Sequence, residues 1–112
     1  MTGVRNGVLV RKILAGTGWE VVATVPVNET WLIKAVHWQS LGTVLTAVQL
    51  LVGHVDAGIQ FRLPELELEP GATGYQSVWT AANAGDAISA LANAFPVHLA
   101  IAGAALPGST SF

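Results

Sequence analysis

Apolar residues recur at every second position along most of this chain, and turn-forming clusters interrupt the pattern about every eight to twelve residues. A period of two belongs to strands, whose successive side chains point to opposite faces. Turns at that spacing fit a sandwich or barrel and leave no room for the long crossovers that parallel strands need. The pattern predicts strands at 8–14, 19–25, 30–39, 43–52, 59–68, 75–82, 87–94 and 98–106. Pro64 cannot donate to a strand ladder, so the fifth strand is expected at an edge or to carry a bulge. Segment 86–94, DAISALANA, has a helical alternative with Asp86 as its cap, but Ile88, Ala90 and Ala92 alternate with Ser89, Leu91 and Asn93, which favours a strand. The expected fold is all-β: an antiparallel, jelly-roll-like β-sandwich of about eight strands, one domain over 1–112. A short basic arm is expected at 1–7 and a flexible tail at 107–112.

An antiparallel sandwich strand normally shows one apolar and one polar face. Two strands here do not. In 30–39 the set Trp31, Ile33, Ala35 and His37 alternates with Leu32, Lys34, Val36 and Trp38. In 43–52, Val44, Val48, Leu50 and Val52 oppose Leu45, Ala47 and Leu51. Charged residues make up 11% of the chain, against roughly 25% in an average soluble protein. So little charge cannot coat an isolated domain. The second apolar face is covered either by the chain's own loops or by another subunit, and a chain of 112 residues has little to spare for self-coverage. Trp31, Leu32, Ile33, Val36, Trp38 and Trp79 are therefore the candidate subunit interface, with the choice of core face left open.

Leu63-Pro64-Glu65-Leu66-Glu67-Leu68-Glu69 is the cleanest alternation in the chain, leucines on one side and Glu65, Glu67 and Glu69 on the other. A solvated face is the plain reading. Such a row also discourages edge-to-edge strand pairing, and Arg11 and Lys12 of a neighbour are its candidate charge partners.

Several chemistries find no footing. There is no cysteine, which removes disulfides, thiolate ligands and thiol nucleophiles together. A net charge of −2 does not suit nucleic-acid binding. His37, His54 and His98 lack metal-site spacing, no serine lies in a nucleophile elbow, and Gly16-Thr17-Gly18 lacks the lysine and helix of a phosphate loop. No metal, cofactor or catalytic residue is expected. No run of about 20 apolar residues could span a bilayer, and the first residues lack the apolar run of a signal peptide.

Val25-Pro26-Val27-Asn28-Glu29-Thr30-Trp31-Leu32-Ile33-Lys34-Ala35-Val36 resembles the VPA-x-x-TW-x-VK-x-V segment of small virion structural proteins of tailed bacteriophages, of the minor tail and head-decoration kinds. Ala84-Gly85-Asp86-Ala87-Ile88-Ser89-Ala90 is similar to their PGD-x-L-x-A strand entry, with Ala84 in place of the proline. The stretch from His98 to Gly108 is similar to their closing strand, with Ala105 where an acidic residue is common. The resemblance implies a non-enzymatic subunit that packs against itself, a trimer foremost, and against other virion proteins, located in a virion assembled in the host cytoplasm. It supplies no catalytic residues. The alternative is a carbohydrate-binding module that stacks sugars on Trp79 and Tyr75, with Gln76 beside them.

Overall fold

The computed structural model describes residues 5–54 and 59–107. It contains nine strands and, among the described residues, no helix. They are β1 (Arg5–Leu14), β2 (Gly18–Thr24), β3 (Glu29–Ser40), β4 (Thr46–His54), β5 (Ile59–Arg62), β6 (Leu66–Leu68), β7 (Thr73–Ala82), β8 (Ala87–Ala92) and β9 (Val97–Pro107). The fifth predicted strand is thus two, because Pro64 interrupts the ladder at a sheet edge. Segment 86–94 forms strand β8 over Ala87–Ala92 and no helix, so the strand ends two residues earlier than the pattern suggested. The fourth strand begins at Thr46, later than the pattern suggested, and Val44 and Leu45 stand exposed in the preceding loop. Of the expected basic arm, 1–4 lie outside the described residues, while Arg5, Asn6 and Gly7 pair with Ala105, Ala104 and Gly103 as the start of β1. Of the expected tail, 108–112 also lie outside them.

The strands form two antiparallel sheets, one ordered β1-β9-β3-β7 and the other β2-β8-β4-β5, with β6 also on β4. The pairing is nested: β1 with β9, β2 with β8, β3 with β7, and β4 with β5 and β6. That is one long folded ribbon rolled up so that successive strand pairs alternate between sheets, which is the jelly roll. The core lies between the sheets, with Trp31, Ile33, Val36, Trp38, Leu99 and Ile101 from one side meeting Val48, Leu50, Val52 and Ile88 from the other. Each such side chain contributes about 1.5–3 kcal/mol through removal from water.

Three turns share one geometry. The N–H of Glu29 donates to the Pro26 carbonyl, that of Ala72 to Glu69 and that of Asp86 to Asn83. The third residue of each, Asn28, Gly71 and Gly85, has positive φ, as a type II turn requires. Pro70-Gly71 is the residue pair that favours this turn most strongly. The last turn is also pinned to the end of β2: Val25 N–H donates to the Asp86 carbonyl at 2.9 Å, and Gly85 N–H to the Val25 carbonyl at 3.0 Å. The buried Asp86 carboxylate accepts the Asn83 N–H at 2.8 Å. Asp86→Ala is therefore expected to cost about 2 kcal/mol in a urea unfolding curve, the scale for a hydrogen bond to a buried charged group.

Bulges run across the first sheet at one level. Val8 and Val10 of β1 oppose the adjacent residues Ala102 and Ile101, so Leu9 is extra. Ile33 and Ala35 of β3 oppose Gly103 and Ala102, so Lys34 is extra. On β7, two residues, Val78 and Trp79, fill the space opposite Lys34. An extra residue reverses which face the following side chains point to. In β3 the inward set is Trp31 and Ile33 before the bulge, then Val36, Trp38 and Ser40 after it. Counting by twos along β3 had mixed the two faces. The apparent apolarity of both faces is in that strand the trace of a bulge.

The β4 strand does have an outward leucine, Leu51, and it is nearly buried. The chain covers it itself: Leu51 lies with Ser89 between Trp19 and Arg62, whose guanidinium sits 5.4 Å from the Trp19 ring centroid.

Candidate subunit-contact face

Four of the six residues expected at a subunit contact, Trp31, Ile33, Val36 and Trp38, are core residues. The reason is the β3 bulge, which turns both halves of the strand inward. Leu32 is half-buried, with its register partners Ala104 and Ala81, and Trp79 is 66% exposed. Lys12 Nζ meets Glu20 Oε2 of β2 at 3.0 Å, with both side chains about 40% exposed. Gln76 does not stand beside Tyr75 and Trp79. Its amide faces inward, accepting from Trp38 Nε1 at 3.0 Å and donating to the Pro64 carbonyl at 2.8 Å, which ties β7 to the β5–β6 connection.

The outer face of the β1-β9-β3-β7 sheet is one surface the fold leaves open, and the other sheet also exposes Trp19, Val21 and Phe61. The cross-strand rows of the first face follow from the register. Arg11, Ala100, His37 and Tyr75 form one row, and Ile13, His98, Gln39 and Thr73 the next. The central strand β9 turns its large residues Leu99 and Ile101 into the core and presents Ala100, Ala102 and Ala104 outward. The small Ala100 between larger neighbours leaves a trough of about 500 Å³, with Val8 and Arg11 on one wall, Tyr75 on the other, and His37, Gln39 and His98 between them. The His37 and Tyr75 rings lie 5.0 Å apart and are tilted by 60°.

Trp79 lies farther along β7 in the bulge, at φ 55°, with Lys34 Nζ 5.9 Å from its ring centroid. A left-handed backbone costs an L-residue about 1–2 kcal/mol, and glycine is the usual occupant of such a bulge position. Here the position holds the largest side chain, and that side chain points to solvent.

Sequence reasoning had singled out Arg11 and Trp79, and Tyr75 for another purpose, but not His37, His98 or Ala100. A local signal was present in 99–102, where large and small residues alternate. His37 and His98 are diagonal neighbours on this face, although 61 positions separate them in the chain. His54 has no described side chain, and among the described residues no three His, Asp or Glu side chains gather as a metal site.

No protein-family model matches the chain, and no curated protein does. Among solved structures the chain is similar to that in the cryo-EM structure of the giant freshwater prawn Macrobrachium rosenbergii extra small virus (XSV) VLP. The match covers 94% of this chain and 80% of that one, at 14% identity and a TM-score of 0.32. So loose a superposition identifies neither fold nor function, and both are read from this chain's own geometry.

Proposed function

We propose that this protein is a non-enzymatic structural subunit of a virion, of the tailed-bacteriophage decoration or minor-tail kind that its sequence resembles, and that it works by packing against copies of itself through the outer face of the β1-β9-β3-β7 sheet. One observation carries this reading: Tyr75 and Trp79 are 59% and 66% exposed on the strand that walls the trough, and Trp79 is held there in a backbone conformation unfavourable to it. Exposed aromatics beside a concave apolar surface are the anchors on which subunit contacts concentrate their energy. Strain kept at an exposed side chain points to a use outside the fold itself. The jelly roll supports the reading as a fold that builds viral shells, although lectins and enzymes share it.

The test is sedimentation equilibrium on the purified full chain and on a Tyr75→Ala/Trp79→Gly double variant. The parent is expected to associate, with a trimer as the foremost product, and the variant to bind at least about tenfold more weakly while melting at no lower a temperature. A parent that stays monomeric at about 100 times the concentration expected to half-saturate such a contact, about 1 μM, and that is absent from purified virions would sink the reading. Sugar-dependent ligand binding at Tyr75 in a monomeric parent would replace it with the carbohydrate-binding alternative.

A further inference from the structure

Most described carboxylates gather on one surface, where the one described cation nearby, Arg62 of β5, lies over the Trp19 ring. Glu20 is paired with Lys12, the Glu29 carboxylate accepts Trp31 Nε1 at 2.9 Å, and Asp86 is buried in its turn. The other described carboxylates, Glu65, Glu67 and Glu69, are all exposed along β6 and its flanks, at the edge of the second sheet. None of the three enters an ion pair among the described residues. The trough, by contrast, holds Arg11, His37 and His98 and no carboxylate. Arg11 is exposed and likewise has no described ion-pair partner.

Resting on the self-packing reading above, we infer that the trough of one copy receives the Glu65–Glu67–Glu69 edge of the next. The carboxylates alternate along an extended segment, about 7 Å apart, so they present one straight acidic ridge. A ridge against a second ridge, or a cationic trough against a second trough, sets like charges face to face. Each surface therefore rejects its own copy and accepts the other surface. The contact is heterologous, and repetition of one heterologous contact gives a ring when the rotation closes and a filament when it does not. A three-fold ring satisfies this rule, whereas a two-fold dimer built on either surface alone does not.

The acidic ridge has a competing explanation with the opposite sign. If the three glutamates only guard an exposed strand edge against pairing, removing their charge should leave association unchanged or increase it. The experiment is sedimentation equilibrium on the full chain as parent, as Arg11→Gln, as Glu65→Gln/Glu67→Gln/Glu69→Gln, and as an equimolar mixture of the two variants, with thermal melts to show that each is folded. Each variant alone is expected to associate about tenfold or more weakly than the parent. The mixture has one live contact, the ridge of the Arg11→Gln copy in the trough of the other, and is expected to stop at the heterodimer. Raising NaCl from about 50 to about 500 mM should weaken the parent by a similar factor.

A triple-glutamine variant that associates as tightly as the parent or more tightly overturns this inference. If the Tyr75 and Trp79 substitutions still abolish association in that case, the proposed function stands without it. A monomeric parent overturns both.

Discussion

Replacing Gly103 by alanine is expected to lower the free energy of unfolding by about 3 kcal/mol, the upper end for forcing one methyl into a packed interior. Gly103 lies on central strand β9 opposite Ile33, where the bulge of β3 begins, and opposite Gly7, one residue before the bulge of β1. A Cβ at this position would fall on the Leu32 carbonyl oxygen and crowd the Ile33 Cα, and both are backbone atoms of the neighbouring strand. A side chain in the way can change rotamer, but a hydrogen-bonded strand cannot move without disturbing its own ladder. The control is Gly16→Ala, at a loop position where a Cβ would meet nothing within 4 Å and φ is not positive. That variant is expected to match the parent or gain up to about 1 kcal/mol by restricting the unfolded chain. Urea unfolding of both variants is the measurement. Equal stability of Gly103→Ala and Gly16→Ala would show that the strands of this sheet are not in such close contact at the bulge level.

That one level of the sheet also marks where the sequence stops being informative. Alternation locates strands because burial of one face acts on every second residue, and it placed most of these strands to within a few residues. Turn chemistry worked as well, since Pro70-Gly71 and Asn83-Ala84-Gly85-Asp86 carry their conformational demands in their side chains. Pro64 marked its strand as an edge because a missing N–H has the same consequence in any fold. Bulges have no such mark. Leu9, Lys34 and Val78-Trp79 are extra only relative to the strands beside them, and strand order is a property of the whole fold. The faces assigned to β3 were consequently crossed, and the contact expected around Trp31, Ile33, Val36 and Trp38 was placed in what is the core. Charge segregation was partly legible, since the glutamate row is local. Of its complement Arg11 was legible but the trough around it was not, because Arg11, His37 and His98 come from β1, β3 and β9 and meet only when those strands pair.

Two of the tryptophans expected at a subunit contact should therefore behave in opposite ways. Trp38 is 1% exposed, and its indole N–H donates to Gln76, the amide that also holds the Pro64 carbonyl. Trp38→Ala removes a large ring from the core and leaves the inward end of that bridge without its donor, so the expected loss is about 4 kcal/mol. For a domain whose total stability is on the order of 5–15 kcal/mol, that is a large fraction of the whole. Trp79→Gly relieves a left-handed residue and gives up an exposed cation–π contact with Lys34 worth about 0.5–1 kcal/mol. Those terms are of similar size, so the fold is expected to be unchanged or more stable by up to about 1 kcal/mol. Association should respond in the reverse order when measured where both variants are folded: Trp79→Gly loses it, and Trp38→Ala retains it in the fraction that remains native. Unfolding curves paired with sedimentation separate the two roles. A Trp79→Gly variant that lost as much stability as Trp38→Ala would mean that the Trp79 ring supports the fold, and the strain at φ 55° would then need no partner to explain it.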